Sequence, residues 1–257
     1  MFDRALALLM AATLLLGGQL KFEVASLKPS APGTPGPMIR PAPGGERYEA
    51  TAVTLKTMIE TAYRLRADQI SGGPDWMDRD RFDLEAKAEK PSSSAELREM
   101  LKSVLAERFG LRFRVEEKEL PVYVLSLDPG GSKLTAHGAK DAAEARVELT
   151  PTQPLHLKVM GTAASMDFFA FRLGYLLDRP VVDRTGLKGD YDFVLTYTME
   201  APESMHEGMV GHDGRPIDFT GPTIFSAIRQ QLGLRLEAGK APLQTFRIER
   251  AEKPAGN

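Results

Sequence analysis

One short motif carries the clearest chemical potential in this sequence, the run Asp183-Arg184-Thr185-Gly186. In pumps that form an aspartyl phosphate, the nucleophilic aspartate of a similar motif is followed by a lysine. In this sequence Arg184 takes the place of that lysine. Proton-sharing aspartates work in pairs, and the sequence holds no second copy of the motif. The run therefore predicts a turn that is capped by Asp183 and in which Gly186 and Gly189 adopt positive φ.

A second concentration of oxygen ligands lies upstream, in a stretch with several carboxylates. A calcium loop needs oxygens at fixed positions and a glycine at its sharp turn, and the spacing here does not match. Arg79 and Arg81 offer local neutralisation. Structural ion pairing is therefore the prediction, with a weak calcium site as the alternative. The carboxylates are Asp75, Asp78, Asp80, Asp83 and Glu85.

Aromatic side chains offer two further candidates. Trp76, the single tryptophan, follows Pro74 and is expected to plug the core or cover a hairpin, with ligand stacking as the alternative. Phe168, Phe169 and Phe171 are too closely spaced for one helix face. Most of this cluster is expected in the core, with one ring facing a neighbouring unit or a partner.

Little in the sequence supports a metal site or covalent catalysis. His206-Glu207 and His212-Asp213 are too far apart to share one helical turn, the spacing that would hold a metal. The chain has 0 cysteines, which excludes thiol catalysis, and it has no nucleophile-elbow or phosphate-loop motif. The sequence therefore predicts no catalytic residue, no metal and no cofactor.

The elements that must position these residues form four units, each a short apolar helix followed by two strands. The clearest two span 97–127 and 224–250, where each helix stops at a glycine, Gly110 or Gly233. A polar turn near Lys118 or Lys240 is expected between the two strands of each unit. Two looser units span 53–88 and 165–198. The prediction is an α+β fold of repeated helix–strand–strand units, with mixed or antiparallel sheets and helices packed on one face.

The units predict a domain organisation. We expect a signal peptide at 1–18, an N-terminal α+β domain with two helix–hairpin units at 19–127, connecting strands and loops at 128–163, and a C-terminal α+β domain with two such units at 164–254. The apolar run at 5–16 has the length of a signal-peptide core and is too short for a comfortable membrane span. The protein is therefore expected to be exported, to the periplasm or beyond, touching a membrane only if the N-terminus is not cleaved.

Charge excludes one class of partner. The chain of 257 residues carries 33 basic and 35 acidic side chains, a net charge of −2. Because nucleic-acid binding depends on a basic surplus, no nucleic-acid partner is expected.

Five ordered motifs resemble one family across nearly the whole mature chain. They are FEVASLKP at 22–29, ISGGPDWMDRDRFDLEAK at 70–87, LPVYVL at 120–125, RPVVDRTGLKGDYDF at 179–193, and QLGLRLE at 231–237 with EKP at 252–254. The chain resembles a family of uncharacterised, soil-associated bacterial proteins expanded in acidobacteria. The resemblance implies export and no established activity. In some relatives the module is joined to an antibiotic-sensor-type membrane metallopeptidase, whose HExxH motif this chain lacks.

These observations favour an exported, non-enzymatic module that binds an envelope protein or a small ligand. A carboxylate-dependent hydrolase and a self-assembling structural envelope protein are the alternatives. The candidate ligand or partner surface comprises Trp76, Asp78, Phe168, Phe169, Asp183 and Arg184.

Overall fold

The computed structural model describes residues 20–41, 45–138, 145–211 and 214–254, so the expected signal peptide at 1–18 lies outside the described residues. Within these ranges the chain forms four α-helices and 12 strands in three sheets, which confirms the predicted α+β class. None of the helices in these ranges is long and apolar enough to cross a membrane.

The elements occur twice in the same order, three strands, a helix, two strands, a helix and one long strand. The first copy comprises β1 (Val24–Pro29), β2 (Met38–Pro41), β3 (Arg47–Thr54), α1 (Leu55–Tyr63), β4 (Ile70–Gly72), β5 (Arg81–Lys87), α2 (Ser94–Arg108) and β6 (Arg112–Leu127). The second comprises β7 (Thr135–Ala136), β8 (Arg146–Gln153), β9 (His156–Ser165), α3 (Met166–Leu176), β10 (Val181–Asp183), β11 (Asp190–Thr198), α4 (Ile224–Ala227), which continues as a π-helical turn over Ile228–Leu232, and β12 (Leu234–Arg250).

Sheet topology confirms the duplication. The first copy forms an antiparallel sheet in the order β1-β5-β3-β2, and the second forms its counterpart, β7-β11-β9-β8. A third, mixed sheet has the order β10-β6-β12-β4, with the two long strands antiparallel at its centre. Each long strand takes a parallel short strand from the other copy: β10 pairs with β6 and β4 pairs with β12. The third sheet therefore relates the copies by an approximate twofold.

The long strands correct one expectation. The polar segments around Lys118 and Lys240 are not turns, because β6 and β12 each run unbroken and pair from Leu234↔Leu127 to Ile248↔Phe113. The middle of this ladder is a two-stranded ribbon in which most side chains are open to solvent. Its residues are therefore polar, and in the sequence this composition looks like that of a turn. Prolines are tolerated here because each strand has a neighbour on one side only.

Two hydrophobic cores result, and the third sheet links them. The first core lies between α1, α2 and the first antiparallel sheet, and β12 of the second copy adds Phe246 and Ile248 to it. The second core packs α3 and α4 on the other antiparallel sheet, and β6 of the first copy adds Leu125. Residues 128–163, expected to connect two domains, hold β7, β8 and most of β9.

The same backbone arrangement precedes the first helix of each copy. A β-bulge places Ala52 and Ala163 at positive φ, 54° and 46°. An aspartate on the neighbouring strand accepts the bulge amide, at 2.9 Å from Asp83 Oδ1 to Ala52 N and 2.9 Å from Asp192 Oδ1 to Ala163 N. The strand then ends at a capping hydroxyl, Thr54 or Ser165, and the helix begins.

Removing the bulge acceptor tests its structural role. Asp83→Ala leaves the amide of Ala52, a residue only 1% exposed, without a partner. We expect unfolding free energy to fall by about 1–3 kcal/mol, measured from the urea midpoint. The control Asp75→Ala removes a 92% exposed side chain that pairs with Arg79 at 3.7 Å, and should change the midpoint little. Equal effects of the two substitutions would contradict the role of Asp83.

The equivalent aspartate predicts a pH dependence. Hydrogen bonds from the Ala163 amide and the His137 side chain hold the pKa of the Asp192 carboxyl below its usual value. Its stabilising contribution is therefore complete above the unfolded pKa, about 3.9, and is lost as pH falls through the lower folded pKa. Asp192→Asn keeps an acceptor oxygen but cannot titrate. The native chain should be more stable than this variant above about pH 4, and the difference in unfolding free energy should shrink as the pH falls below that value. Urea titrations of both proteins at several pH values measure the difference. A difference that does not change with pH would contradict the stabilising role of ionised Asp192.

Candidate functional site

A cleft of about 720 Å³ lies where the two copies meet. The first copy lines it with α1, the start of α2 and strands β2 and β3, and the second copy lines it with β8 and α3. This volume lies within the range of small-molecule sites, about 300–1,000 Å³. The cleft is therefore large enough for a ligand that would touch both copies at once.

Four arginines dominate the charge of the lining, Arg64, Arg98, Arg146 and Arg172. Among the described residues, the lining contains one carboxylate, Glu148. Two of the arginines come from each copy, so no single sequence segment contains the cluster. The cleft is thus a site of positive charge in a chain whose overall net charge is −2.

Arg64 reaches the cleft through an unfavourable backbone conformation. It caps the C-terminus of α1 at φ 53° and ψ 48°, the left-handed region that glycine occupies at least cost. Its guanidinium lies 4.8 Å from the ring centre of Phe168 on α3. Burial lowers the pKa of Arg64, against the opposing effect of Asp167, and the group stays cationic at neutral pH. Strain of this kind, about 1–3 kcal/mol, is concentrated at functional positions.

Two buried polar atoms at the cleft have no hydrogen-bond partner among the described residues, the Tyr48 hydroxyl and Arg172 Nε. Tyr48 is 2% exposed. Burial raises the pKa of its hydroxyl, and nearby Arg98 opposes that shift only in part, so Tyr48 is a neutral donor at physiological pH. A buried donor without a partner is costly, and native proteins carry few of them.

The start of α2 forms the wall opposite α3. Ser93 caps the helix: its hydroxyl accepts the Glu96 amide at 3.3 Å, while Glu96 accepts the Ser93 amide at 2.7 Å. α2 has 15 residues, whereas its counterpart in the second copy has four in α4 and five in the π-helical turn. The additional N-terminal turns carry Ala95 and Arg98 into the cleft, which makes the site asymmetric in a nearly symmetric fold.

A second cavity, of about 980 Å³, lies beside α3 and α4. Its walls are mostly aromatic and aliphatic, and Tyr175, Met199 and Phe225 remain partly open to solvent there. Ligand sites combine apolar walls with a few convergent polar groups, and this lining also includes Asp178 and Glu200. Among the described residues, however, no buried polar atom that lacks a partner belongs to this lining, whereas the arginine cleft has two. The arginine cleft is therefore the better candidate.

The candidate residues from the sequence lie in separate regions of the molecule. Trp76 packs beside the first core, with its ring 6.3 Å from that of Phe109, and Asp78 is exposed and pairs with Lys56 at 3.5 Å. Asp183 accepts the amide of Thr185 at 2.8 Å and its hydroxyl at 2.7 Å, a turn as expected.

The remaining candidates lie on or close to α3 and β10. Arg184 is exposed, and its amide donates to the carbonyl of Leu125 at 2.8 Å. Phe169 is fully buried, 4.5 Å from the ring of Phe193. Phe168, by contrast, lines the cleft. Of the six candidates, Phe168 alone contributes to this site.

Sequence reasoning did not identify Tyr48, Arg64, Arg98 or Arg172 as site residues. Each stands alone in its own segment, and only the packing of the two copies brings the segments together. The one local signal was the crowding of phenylalanines on α3, which indicated that a ring faces outside the core.

The described part of the chain contains no cluster of three or more histidine and acidic side chains that could hold a metal ion. His206 lies in the irregular segment before α4, and its Nδ1 contacts the Glu207 carbonyl at 3.0 Å. His212 and Asp213 lie outside the described residues.

A comparison with known protein families identifies a match. The DUF3738 family, described as proteins of unknown function, matches residues 56–251. The chain therefore belongs to this family, which confirms the expectation of a domain of unknown function. Neither the curated proteins nor the solved structures provide a significant match.

Substitutions of the adjacent residues Phe168 and Phe169 distinguish a cleft position from a core position. Phe169→Ala should lower the unfolding free energy by about 3–5 kcal/mol, because it empties a fully buried position. Phe168→Ala should cost only about 1–2 kcal/mol, since its ring is half-buried and contacts Arg64 at the cleft surface. Chemical denaturation of both variants measures the difference. Similar losses from the two substitutions would contradict the placement of Phe168 at the cleft.

Proposed function

We propose that this protein is an exported, non-enzymatic module that binds a small ligand at the cell envelope, and that the cleft between its two copies is the ligand site. The observation that carries the proposal is an open cleft of about 720 Å³ beside a buried hydroxyl and a buried guanidinium nitrogen that lack partners. A ligand would supply both the apolar contact and the missing hydrogen-bond acceptors.

Binding rather than turnover is supported by the composition of the lining. Acid–base hydrolysis of the kind considered above needs two carboxylates facing each other across a cleft, and Glu148 is the one carboxylate among the described lining residues. The sequence also lacks the nucleophile motifs that would replace such a pair. A ligand site with fixed cationic groups is the simpler interpretation.

Export and the envelope location rest on the N-terminal apolar run and on the family resemblance. The family resemblance implies relatives in soil bacteria and relatives joined to sensor-type membrane peptidases, and in these a similar module would lie outside the cytoplasm. A binding module that holds a ligand between two copies of one unit is suited to sensing, because ligand contacts with both copies would change how firmly they are held together.

Filling the cleft tests the proposal. Ala95 is exposed in the first turn of α2 and lines the cleft, and Ala106 is exposed farther along the same helix. In a thermal-shift screen of small metabolites, binders should raise the Tm of the native chain and of Ala106→Trp by about 5 °C or more at saturating concentration. Ala95→Trp should abolish these shifts because the indole occupies the ligand volume.

Both alanines are exposed on one helix, so their substitutions match in size, propensity and position on the surface. Binders that stabilise Ala95→Trp as well as the native chain would show that they bind elsewhere. A screen in which no compound stabilises the native chain would contradict small-ligand binding itself.

A further inference from the structure

We infer that the ligand of the cleft is a small organic anion, with its acidic group held by the arginines and an apolar body against the remaining walls. This inference rests on the proposed function and adds the chemical class of the ligand. Carboxylate, phosphate and sulfonate groups share the required chemistry, since each presents several acceptor oxygens with negative charge.

Two arginines of the cleft lack an ion-pair partner. Among the described residues, neither Arg64 nor Arg172 has a carboxylate within ion-pair distance, although both are half-buried, and Asp167 acts on Arg64 only from farther away. Partial burial removes water from a guanidinium, and such groups are normally paired with an anion. Arg64 and Arg172 therefore contribute positive charge to the lining with which no described carboxylate forms an ion pair. An anionic ligand would compensate this charge.

The two unpartnered polar atoms at the cleft can both donate a hydrogen bond. Arg172 Nε donates only, and the Tyr48 hydroxyl donates as well as accepts; neither has a partner among the described residues. An oxyanion presents several acceptor oxygens to such donors. The 15-residue α2 also directs its N-terminus toward the cleft, through Ser93 and Ala95, which adds positive potential at the same place.

The walls beside the charged groups indicate the nature of the rest of the ligand. Ile39 and Phe168, both half-buried, contribute apolar surface there. A free inorganic ion would leave this surface in contact with water, whereas an amphiphilic anion would cover it. The cleft therefore favours an anion with an aromatic or aliphatic body.

Two fluorescent probes test the class of ligand directly. The probe 8-anilinonaphthalene-1-sulfonate carries a sulfonate on the same ring framework as the neutral N-phenyl-1-naphthylamine. The native protein should bind the sulfonate about ten-fold more tightly than the neutral probe, by fluorescence titration, because charge-assisted hydrogen bonds to guanidinium are made by the sulfonate alone. Ala95→Trp should remove the binding of the sulfonate.

A charge-removing variant provides the second readout. Arg172→Gln should lower the affinity for the sulfonate about ten-fold and leave the affinity for the neutral probe unchanged. Arg114→Gln is the matched control, since it removes the same charge from a 60% exposed side chain on β6 that does not line the cleft. This control should bind both probes as the native chain does, and circular dichroism confirms that each variant is folded.

The outcomes separate the inference from the proposed function. If both probes bind equally and Ala95→Trp removes both, the cleft is a ligand site but the preference for anions is wrong. If Ala95→Trp leaves the binding of both probes unchanged, the cleft is not their site, and both the inference and the proposed function fail for this class of ligand. Equal losses in Arg172→Gln and Arg114→Gln would overturn the role of the cleft arginines, since net charge alone would explain them.

Discussion

The antiparallel pairing of β6 with β12 is the interaction on which the rest of the structure depends. It runs from Leu127 opposite Leu234 to Phe113 opposite Ile248, and it joins the two copies through backbone hydrogen bonds. Each long strand then adds side chains to the core of the other copy, Leu125 in one direction and Ile248 in the other. Because both cores depend on the exchange, neither copy can bury its apolar surface independently, and their mutual orientation is fixed.

That fixed orientation creates the cleft and allows it to be asymmetric. Thr61 of α1 and Arg172 of α3 are equivalent positions when counted from the capping residues Thr54 and Ser165, and both line the cleft. One is a small hydroxyl and the other a cation. The longer α2 adds Arg98 on one side only. A duplicated unit therefore supplies the scaffold twice, while different side chains at matching positions make the two walls of the cleft unlike each other.

The sequence predicts the elements better than their assembly. The glycines that end α2 and the second copy's last helix, Gly110 and Gly233, adopt positive φ as expected. Local periodicity also indicates α1 and α3, because their buried faces follow helical spacing. The continuity of β6 could not be predicted, since a solvated two-stranded ribbon has the polar composition of a turn. The arginine cleft could not be predicted either, because its members come from separate segments and only strand exchange brings them together.

Native-state hydrogen exchange of β6 tests the central claim most directly, because the claim and the sequence pattern make opposite statements about residues 116–119. At 116–119 β6 has β12 as its neighbour on one side only, so its amides point alternately to β12 and to solvent. Because the Tyr123 amide donates away from β12, to the Pro180 carbonyl, the amides of Glu116 and Lys118 face β12. If β6 and β12 form an unbroken ladder, these two amides should exchange far more slowly than those of the irregular segment at 199–209. Exchange of both amides as fast as in that irregular segment would show a turn at Lys118. It would contradict both the joined sheet and the fixed cleft that depends on it.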